Sequence, residues 1–305
     1  MEDILVIDTV DKIYQLDKKT KFQVLNQISF SVKKKETLGI VGESGCGKTT
    51  LGKIIAGIIP QSTGTILYNE QDITQHPILD IQMIFQDPYS SMNPNMTIDR
   101  IISEGLTIQK QYSLEKRKEI VEDMLHKVGL HKGVKNRFPH EFSGGQLQRI
   151  NIARSLVLKP KVIILDEPTS SLDVSVQSQM INLLKDLQEE EQLTYLFISH
   201  NLNVIRYISD RIVVMYLGHI VEIASSETLF TNPLHPYTKV LLQAALNLES
   251  DENIDIQEED KCINKNNGCP FRNRCSMSFE KCSLKPNLIE VEKEHSIACH
   301  LWVKK

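Results

Sequence analysis

The stretch Gly42-Glu43-Ser44-Gly45-Cys46-Gly47-Lys48-Thr49 decides how this chain folds. The apolar run Thr37–Val41 leads into it, and residues 49–56 continue it with helical character. The spacing is that of G-x-x-x-x-G-K-[ST], a strand–loop–helix device for holding phosphate. Glycine lets the backbone approach a ligand without a Cβ in the way. Successive N–H groups curl into an anion-binding nest, and the following helix aims its positive end at the same point. Lys48 adds a mobile cation, and Thr49 a hydroxyl suited to magnesium. Gly42, Ser44, Gly45, Cys46, Gly47, Lys48, Thr49 and Thr50 are the candidate phosphate-binding residues; Cys46 stands at an unspecified position of the pattern and has no catalytic part.

Downstream, Val162-Ile163-Ile164-Leu165-Asp166-Glu167 is an apolar strand ending in two carboxylates. The carboxyl end of a parallel strand faces the crevice where ligands bind. Asp166 there can hold magnesium through water. Glu167 can polarise an attacking water as general base, a contribution of about 10²–10⁴-fold. Pro168 follows at once, which weighs against a helix-capping acid pair.

Around these two motifs the chain alternates strands and helices. Strands are expected at residues 4–10, 28–32, 66–68, 81–85, 195–198 and 212–215, with turn or helical patterns between them. Ile120, Val121, Met124, Leu125 and Val128 recur at helical spacing until Gly129, and Met180, Leu183, Leu184 and Leu187 mark another helix. Alternation of this kind implies an α/β fold with a mostly parallel sheet covered on both faces. A mainly helical block, residues 87–159, interrupts it as an inserted subdomain. Residues 1–245 form the principal domain, 246–261 an acidic linker and 262–305 a cysteine-rich extension.

A net charge of -4 and a pI near 6.2 give no basic domain or stripe, so nucleic acid is not an expected partner. Lys33, Lys34 and Lys35 read as a solvated turn. No stretch reaches the roughly 18 apolar residues of a membrane-spanning helix. The start, MEDILVIDTV, lacks a basic n-region, so the chain is expected to stay in the cytoplasm and to act at a membrane only through partners. Five of six cysteines (Cys262, Cys269, Cys275, Cys282 and Cys299) fall in the extension, a pattern that in a reducing compartment points to metal more than to disulfides.

Phe142-Ser143-Gly144-Gly145-Gln146, set between the phosphate loop and the acidic pair, resembles the signature motif of ATP-binding cassette (ABC) proteins. The resemblance implies a phosphate-loop NTPase cassette: a RecA-like parallel-sheet core, an antiparallel β subdomain and the helical insertion. It also implies that two nucleotides are sandwiched between two head-to-tail subunits, Ser143, Gly144, Gly145 and Gln146 cradling the partner's ATP. Tyr14 is similar to the aromatic that stacks on adenine, and a buried strand tyrosine is its other reading. Gln86 resembles the glutamine that touches magnesium and water. Asp173, in Ser171-Leu172-Asp173, resembles the loop that speaks across the dimer, and His200 the switch histidine that contacts the γ-phosphate.

Gln86-Asp-Pro-Tyr-Ser-Ser-Met-Asn-Pro94, Ser170-Ser-Leu-Asp-Val-Ser-Val-Gln177, Met215-Tyr-Leu-Gly-His-Ile-Val-Glu222 and Asn232-Pro-Leu-His-Pro-Tyr-Thr238 resemble the oligopeptide, dipeptide and nickel importer branch. The FSGGQ wording is similar to the second of that branch's two ATPase subunits. The resemblance implies an ATPase that pairs with a second, homologous ATPase beneath two transmembrane permease subunits. It would be peripheral on the inner face of the cell membrane, and an extracellular binding protein would deliver the cargo. Peptides are the leading cargo and nickel or a metal chelate the alternative. A soluble cassette ATPase of DNA repair or translation is the reading from another class. Cys269, Cys275, Cys282 and Cys299 resemble that branch's tail; four thiolates can hold a 4Fe-4S cluster or a tetrahedral zinc, and spacing alone does not choose. Cys262 reads as a spare thiol.

Overall fold

The computed structural model describes residues 2–15, 17, 20–76, 78–110, 112–246 and 268–302. The acidic linker and Cys262 lie outside the described residues. The chain divides into two units, residues 1–76 with 197–305, and residues 77–196.

The first unit opens with strands β1 (Asp3–Gln15) and β2 (Lys21–Lys33). They pair antiparallel, with Leu5 opposite Val32 and Ile7 opposite Phe30. Alternation puts Leu5, Ile7, Ile28, Phe30 and Val32 inside, as a half-buried strand pair requires. β3 (Thr37–Val41) is buried at every position, which is why it reads as a continuous apolar run rather than an alternating one. Helix α1 (Lys48–Ile55) follows, then β4 (Thr63–Tyr68) and the short β5 (Gln71–Asp72). β4 pairs antiparallel with β1, completing a four-stranded sheet in the order β2-β1-β4-β5.

The second unit begins with β6 (Ile81–Ile84) and continues through α2 (Ile98–Gln109), α3 (Leu114–Lys127) and α4 (Gly144–Leu156). Ser113 caps α3 by accepting from the Lys116 N–H at 3.2 Å, and Gly129, at φ 72°, turns the chain away after it. Ile101, Ile102, Val121, Leu125 and Ile150 are buried between these helices. β7 (Val162–Asp166) is fully buried and runs parallel to β6, with Ile81 opposite Val162. α5 (Val174–Glu191) follows, burying Met180, Leu184 and Leu187. The helical segment expected over 87–159 therefore lies inside a unit that also holds the parallel strand pair β6 and β7.

β8 (Thr194–Ile198) carries the chain back into the first unit, followed by α6 (Leu202–Ile208), β9 (Arg211–Tyr216), β10 (His219–Ser225), α7 (Ser226–Thr231) and α8 (Pro236–Leu246). β3 and β9 are parallel, but β10 turns back antiparallel on β9. The extension adds β11 (Ile289–Glu292) and β12 (His295–Ile297), β12 pairing antiparallel with β10. The sheet is mixed at this edge, and the extension is built onto it. Edge strands expose unpaired N–H and C=O groups, and an added hairpin satisfies them.

Candidate functional site

The phosphate loop leaves β3 as the spacing predicts. Gly42 has φ 153°, and a Cβ there would lie 2.1 Å from the Met215 carbonyl oxygen and 2.8 Å from Cys46 Sγ. Gly47 has φ 107°, and a Cβ would meet Leu25 at 2.8 Å. Only glycine fits either position. Lys48 is buried, its Nζ donating to the Gly42 carbonyl at 2.8 Å and the Glu43 carbonyl at 3.0 Å. A buried cation held on loop carbonyls, beside a helix whose N-cap Gly47 has no side chain to satisfy the first-turn N–H groups, suits a polyphosphate. Thr49 is exposed at the start of α1, in reach of solvent and of a hydrated cation. Cys46 is buried, and burial raises its thiol pKa, so it remains a neutral filler.

Tyr14 is not a buried strand tyrosine. It is 38% exposed, with Lys12 Nζ 4.8 Å from its ring centre, and so offers a face for stacking. His200 is exposed just past the end of β8, and the N–H of its neighbour Ser199 donates to Ile40 of β3 at 3.2 Å.

In the second unit, Asp166 is buried at the end of β7, and Glu167 follows at φ 48°. A non-glycine residue in the left-handed region costs about 1–2 kcal/mol and is typical of functional positions. Gln86 Nε2 donates to Glu167 Oε2 at 3.3 Å, so two residues chosen separately in the sequence meet. Such a donor orients the carboxylate.

The signature segment is a helix start. Ser143 accepts from the Gln146 N–H at 3.4 Å, and the Gln146 side chain accepts from the Ser143 N–H at 3.1 Å. This reciprocal capping box fixes Ser143, Gly144 and Gln146 with the amino end of α4. Ser143, Gly144 and Gln146 are exposed. A Cβ on Gly145 would lie 2.7 Å from Val176. Asp173 caps α5, accepting from the Ser175 and Val176 N–H groups at 3.1 and 3.0 Å, bonds that hold its pKa below the usual carboxylate value. The Gln86–Pro94 segment is tied to α4: Ser91 donates to Asn151 at 3.0 Å, and Arg154 donates to the Ser91 carbonyl at 2.7 Å.

Cys269, Cys275, Cys282 and Cys299 line one small cavity with Phe271 and His300. The Cys269 N–H donates to the Cys282 carbonyl at 2.9 Å. Burial first, then the neighbouring cysteines, pushes the Cys269 thiol up to about 11. No disulfide joins any of these four. Among the described residues no three His, Cys, Asp or Glu side chains converge as ligands of a single ion. Four soft donors around one cavity do suit thiolate ligation of a larger group.

Two residues were not singled out in the sequence. Glu222, on β10, is 0% exposed and accepts from the Leu234 N–H at 2.8 Å, the His235 N–H at 3.0 Å and His295 Nε2 at 2.8 Å. A lone acid inside the otherwise apolar run Ile220-Val-Glu-Ile223 is the signal that could have found it. Glu43 is gripped by Arg274, and no local pattern announces that pair.

Residues 25–170 match the model of the family described as "ABC transporter", and residues 221–282 that of "Oligopeptide/dipeptide transporter, C-terminal region". The chain is 43% identical to "Putative oligopeptide transport ATP-binding protein YkfD" of Bacillus subtilis (strain 168), over 98% of this chain and 95% of that one. It is 45% identical to "Oligopeptide transport ATP-binding protein OppF" of Haemophilus influenzae, over 95% and 92%. Among solved structures, cbiO1 from Clostridium perfringens, part of an ABC transporter complex, aligns at TM-score 0.67 and 27% identity, covering 81% of this chain and 96% of that one. An ATP-binding cassette in a dimeric post-hydrolysis state bound to ADP and Pi aligns at TM-score 0.65 and 27% identity, covering 73% and 98%.

Proposed function

The chain belongs to the ABC transporter family, and we propose that it is the ATPase subunit that powers oligopeptide import, with the site residues acting as follows. The observation that carries the reading is the full-length identity to oligopeptide transport ATP-binding proteins, cysteine-rich extension included. Lys48 and the phosphate-loop N–H groups bind and orient the β- and γ-phosphates of ATP. Thr49, Gln86 and Asp166 would hold magnesium, which when bound neutralises phosphate charge. Glu167 takes a proton from the attacking water while His200 orients that water. The water oxygen bonds to the γ-phosphorus as the bond to the bridging oxygen breaks, giving ADP and phosphate. Gln86 holds the Glu167 carboxylate in place. Tyr14 stacks on the adenine.

Ser143, Gly144, Gly145 and Gln146 cap the nucleotide of a second, homologous ATPase, and Asp173 lies in the segment that faces it. Closure of that pair, favoured by bound ATP, moves the surface around Gln86 to Met92, which holds a short helix of a membrane subunit. Among the described residues no helix is long and apolar enough to cross a membrane, in keeping with attachment through those partners at the inner face. Cys269, Cys275, Cys282 and Cys299 hold a 4Fe-4S cluster in preference to zinc. Sulfurs spread around a cavity suit a cube of metal and sulfide better than one ion. Iron and sulfide analysis of chain purified without oxygen, against chain with Cys275→Ser, tests this: iron in both, or in neither, refutes it.

The deciding experiment is uptake of a labelled short peptide and of nickel in cells whose copy carries Glu167→Gln. Peptide uptake collapses while nickel uptake does not; the reverse result reassigns the cargo. In purified protein, ATPase turnover falls about 10²–10⁴-fold in Glu167→Gln, and an unchanged rate removes Glu167 as the base.

A further inference from the structure

Glu43 stands at a position that the phosphate-loop pattern leaves unspecified, yet it is held from three directions. Its carboxylate accepts from Arg274 Nη1 at 3.0 and 3.1 Å. Its N–H donates to Tyr237 Oη at 3.0 Å. Its carbonyl accepts from Lys48 Nζ at 3.0 Å. One residue thus links the phosphate-binding lysine to the extension, 231 positions further along the chain.

The Arg274 end is anchored as firmly. Nη1 also lies 3.3 Å from Tyr216 Oη, and the guanidinium sits 5.7 Å from the Tyr216 ring and 5.8 Å from that of Phe271. Tyr216, Tyr237 and Phe271 are buried against one another, with ring centres 4.5, 5.3 and 5.4 Å apart. Phe271 and Arg274 both stand in the turn bracketed by Cys269 and Cys275, where the Arg274 N–H donates to the Phe271 carbonyl at 3.0 Å. A pair serving only to dock the extension could have used any surface. This one ends on the loop that orients the phosphates.

We propose that Arg274 is a positioning residue for the phosphate loop, acting through Glu43, so that the cysteine-rich extension is a working part of the nucleotide site. This rests on the reading that the loop holds ATP. Without Arg274, Glu43 loses its lateral anchor and a bare carboxylate is left beside the phosphates. The Lys48 contact to the Glu43 carbonyl loosens with it. The pair is partly exposed, 21% for Arg274 and 40% for Glu43, so the effect is graded rather than absolute.

The test uses the full chain with Arg274→Ala, Arg274→Lys, Glu43→Gln and the double Glu43→Gln/Arg274→Ala. Affinity for a fluorescent ATP analogue, KM and kcat for ATP, and thermal unfolding are measured on each. Arg274→Ala weakens ATP binding and raises KM by about three- to tenfold, with kcat within about twofold of the parent. Arg274→Lys recovers part of the loss, and the double variant is no weaker than Arg274→Ala alone. Unchanged affinity in Arg274→Ala, or losses that add in the double variant, overturn the proposal. If Arg274→Ala does not fold, Glu43→Gln and Arg274→Lys carry the test, and an unchanged affinity and KM in both overturns it. Lys48→Ala is the control for the underlying reading: if it still binds the analogue, the ATP assignment of the loop fails instead.

Discussion

Replacing Glu222 by Gln is close to isosteric, so it tests hydrogen bonding without opening a cavity. In the parent, Oε1 accepts from the Leu234 N–H and His295 Nε2, and Oε2 from the His235 N–H. Glutamine has one acceptor oxygen. In either orientation an NH2 group faces at least one of these buried donors, and the remaining bonds lose the help of the charge. One buried donor left unsatisfied costs about 1–3 kcal/mol, and charge-assisted bonds are roughly twice as strong as neutral ones, so the loss is about 2–4 kcal/mol. Trp302, the chain's single tryptophan, lies in the extension next to the strands that His295 helps to hold, so its fluorescence in a urea titration reads this loss. A midpoint within about 0.5 kcal/mol of the parent refutes the reasoning, because surface substitutions do no more than that. The pH dependence has a fixed sign. Burial raises the Glu222 pKa, but the bonds from His295 and the two N–H groups, with the Thr238 hydroxyl nearby, outweigh it and hold it below the ordinary carboxylate value. Its stabilisation is therefore complete above the unfolded pKa, near 4.5, and is lost as pH falls through the folded value; the Gln variant lacks that acid-side loss.

Gly42→Ala places a Cβ about 2.1 Å from the Met215 carbonyl oxygen at φ 153°, so overpacking of about 1–3 kcal/mol adds to backbone strain. Thermal melting and ATP-analogue binding fall together; a variant that still binds like the parent removes the tight loop from the account. Burial, with Lys285 nearby, pushes the His219 pKa down to about 4 from 6.5, so stability is full above pH 6.5 and is lost toward pH 4. The slope is about 1.4 kcal/mol per pH unit, and urea midpoints of His219→Gln against the parent between pH 7 and 5 measure it; parallel curves would place the histidine in water. Ser143→Ala removes one half of the capping box on α4, costing about 1 kcal/mol in urea titration, and an unchanged midpoint would mean that the cap is not stabilising.

The phosphate loop, the acid pair after β7 and the glycine-rich segment Phe142–Gln146 are legible in sequence because each is a local device. Its atoms meet within a few residues, so spacing alone carries the geometry. Fully buried strands such as Thr37–Val41 announce themselves for the same reason: two covered faces leave no polar alternate. Meetings over long separations left no such mark. Glu222 and His295 are 73 residues apart, Gln86 and Glu167 81, and Glu43 and Arg274 231. Nothing in the spacing of two distant segments fixes their contact, since loop closure constrains length only weakly. The left-handed backbone at Glu167 is likewise invisible in the residue type, which disfavours it. Sequence by itself marked the family and the short segments on which the candidate site residues stand. Only the tertiary structure decided that the cysteine-rich extension pairs with β10 and reaches the phosphate loop, because those contacts exist only once the sheet edge and the buried aromatic cluster have formed around them.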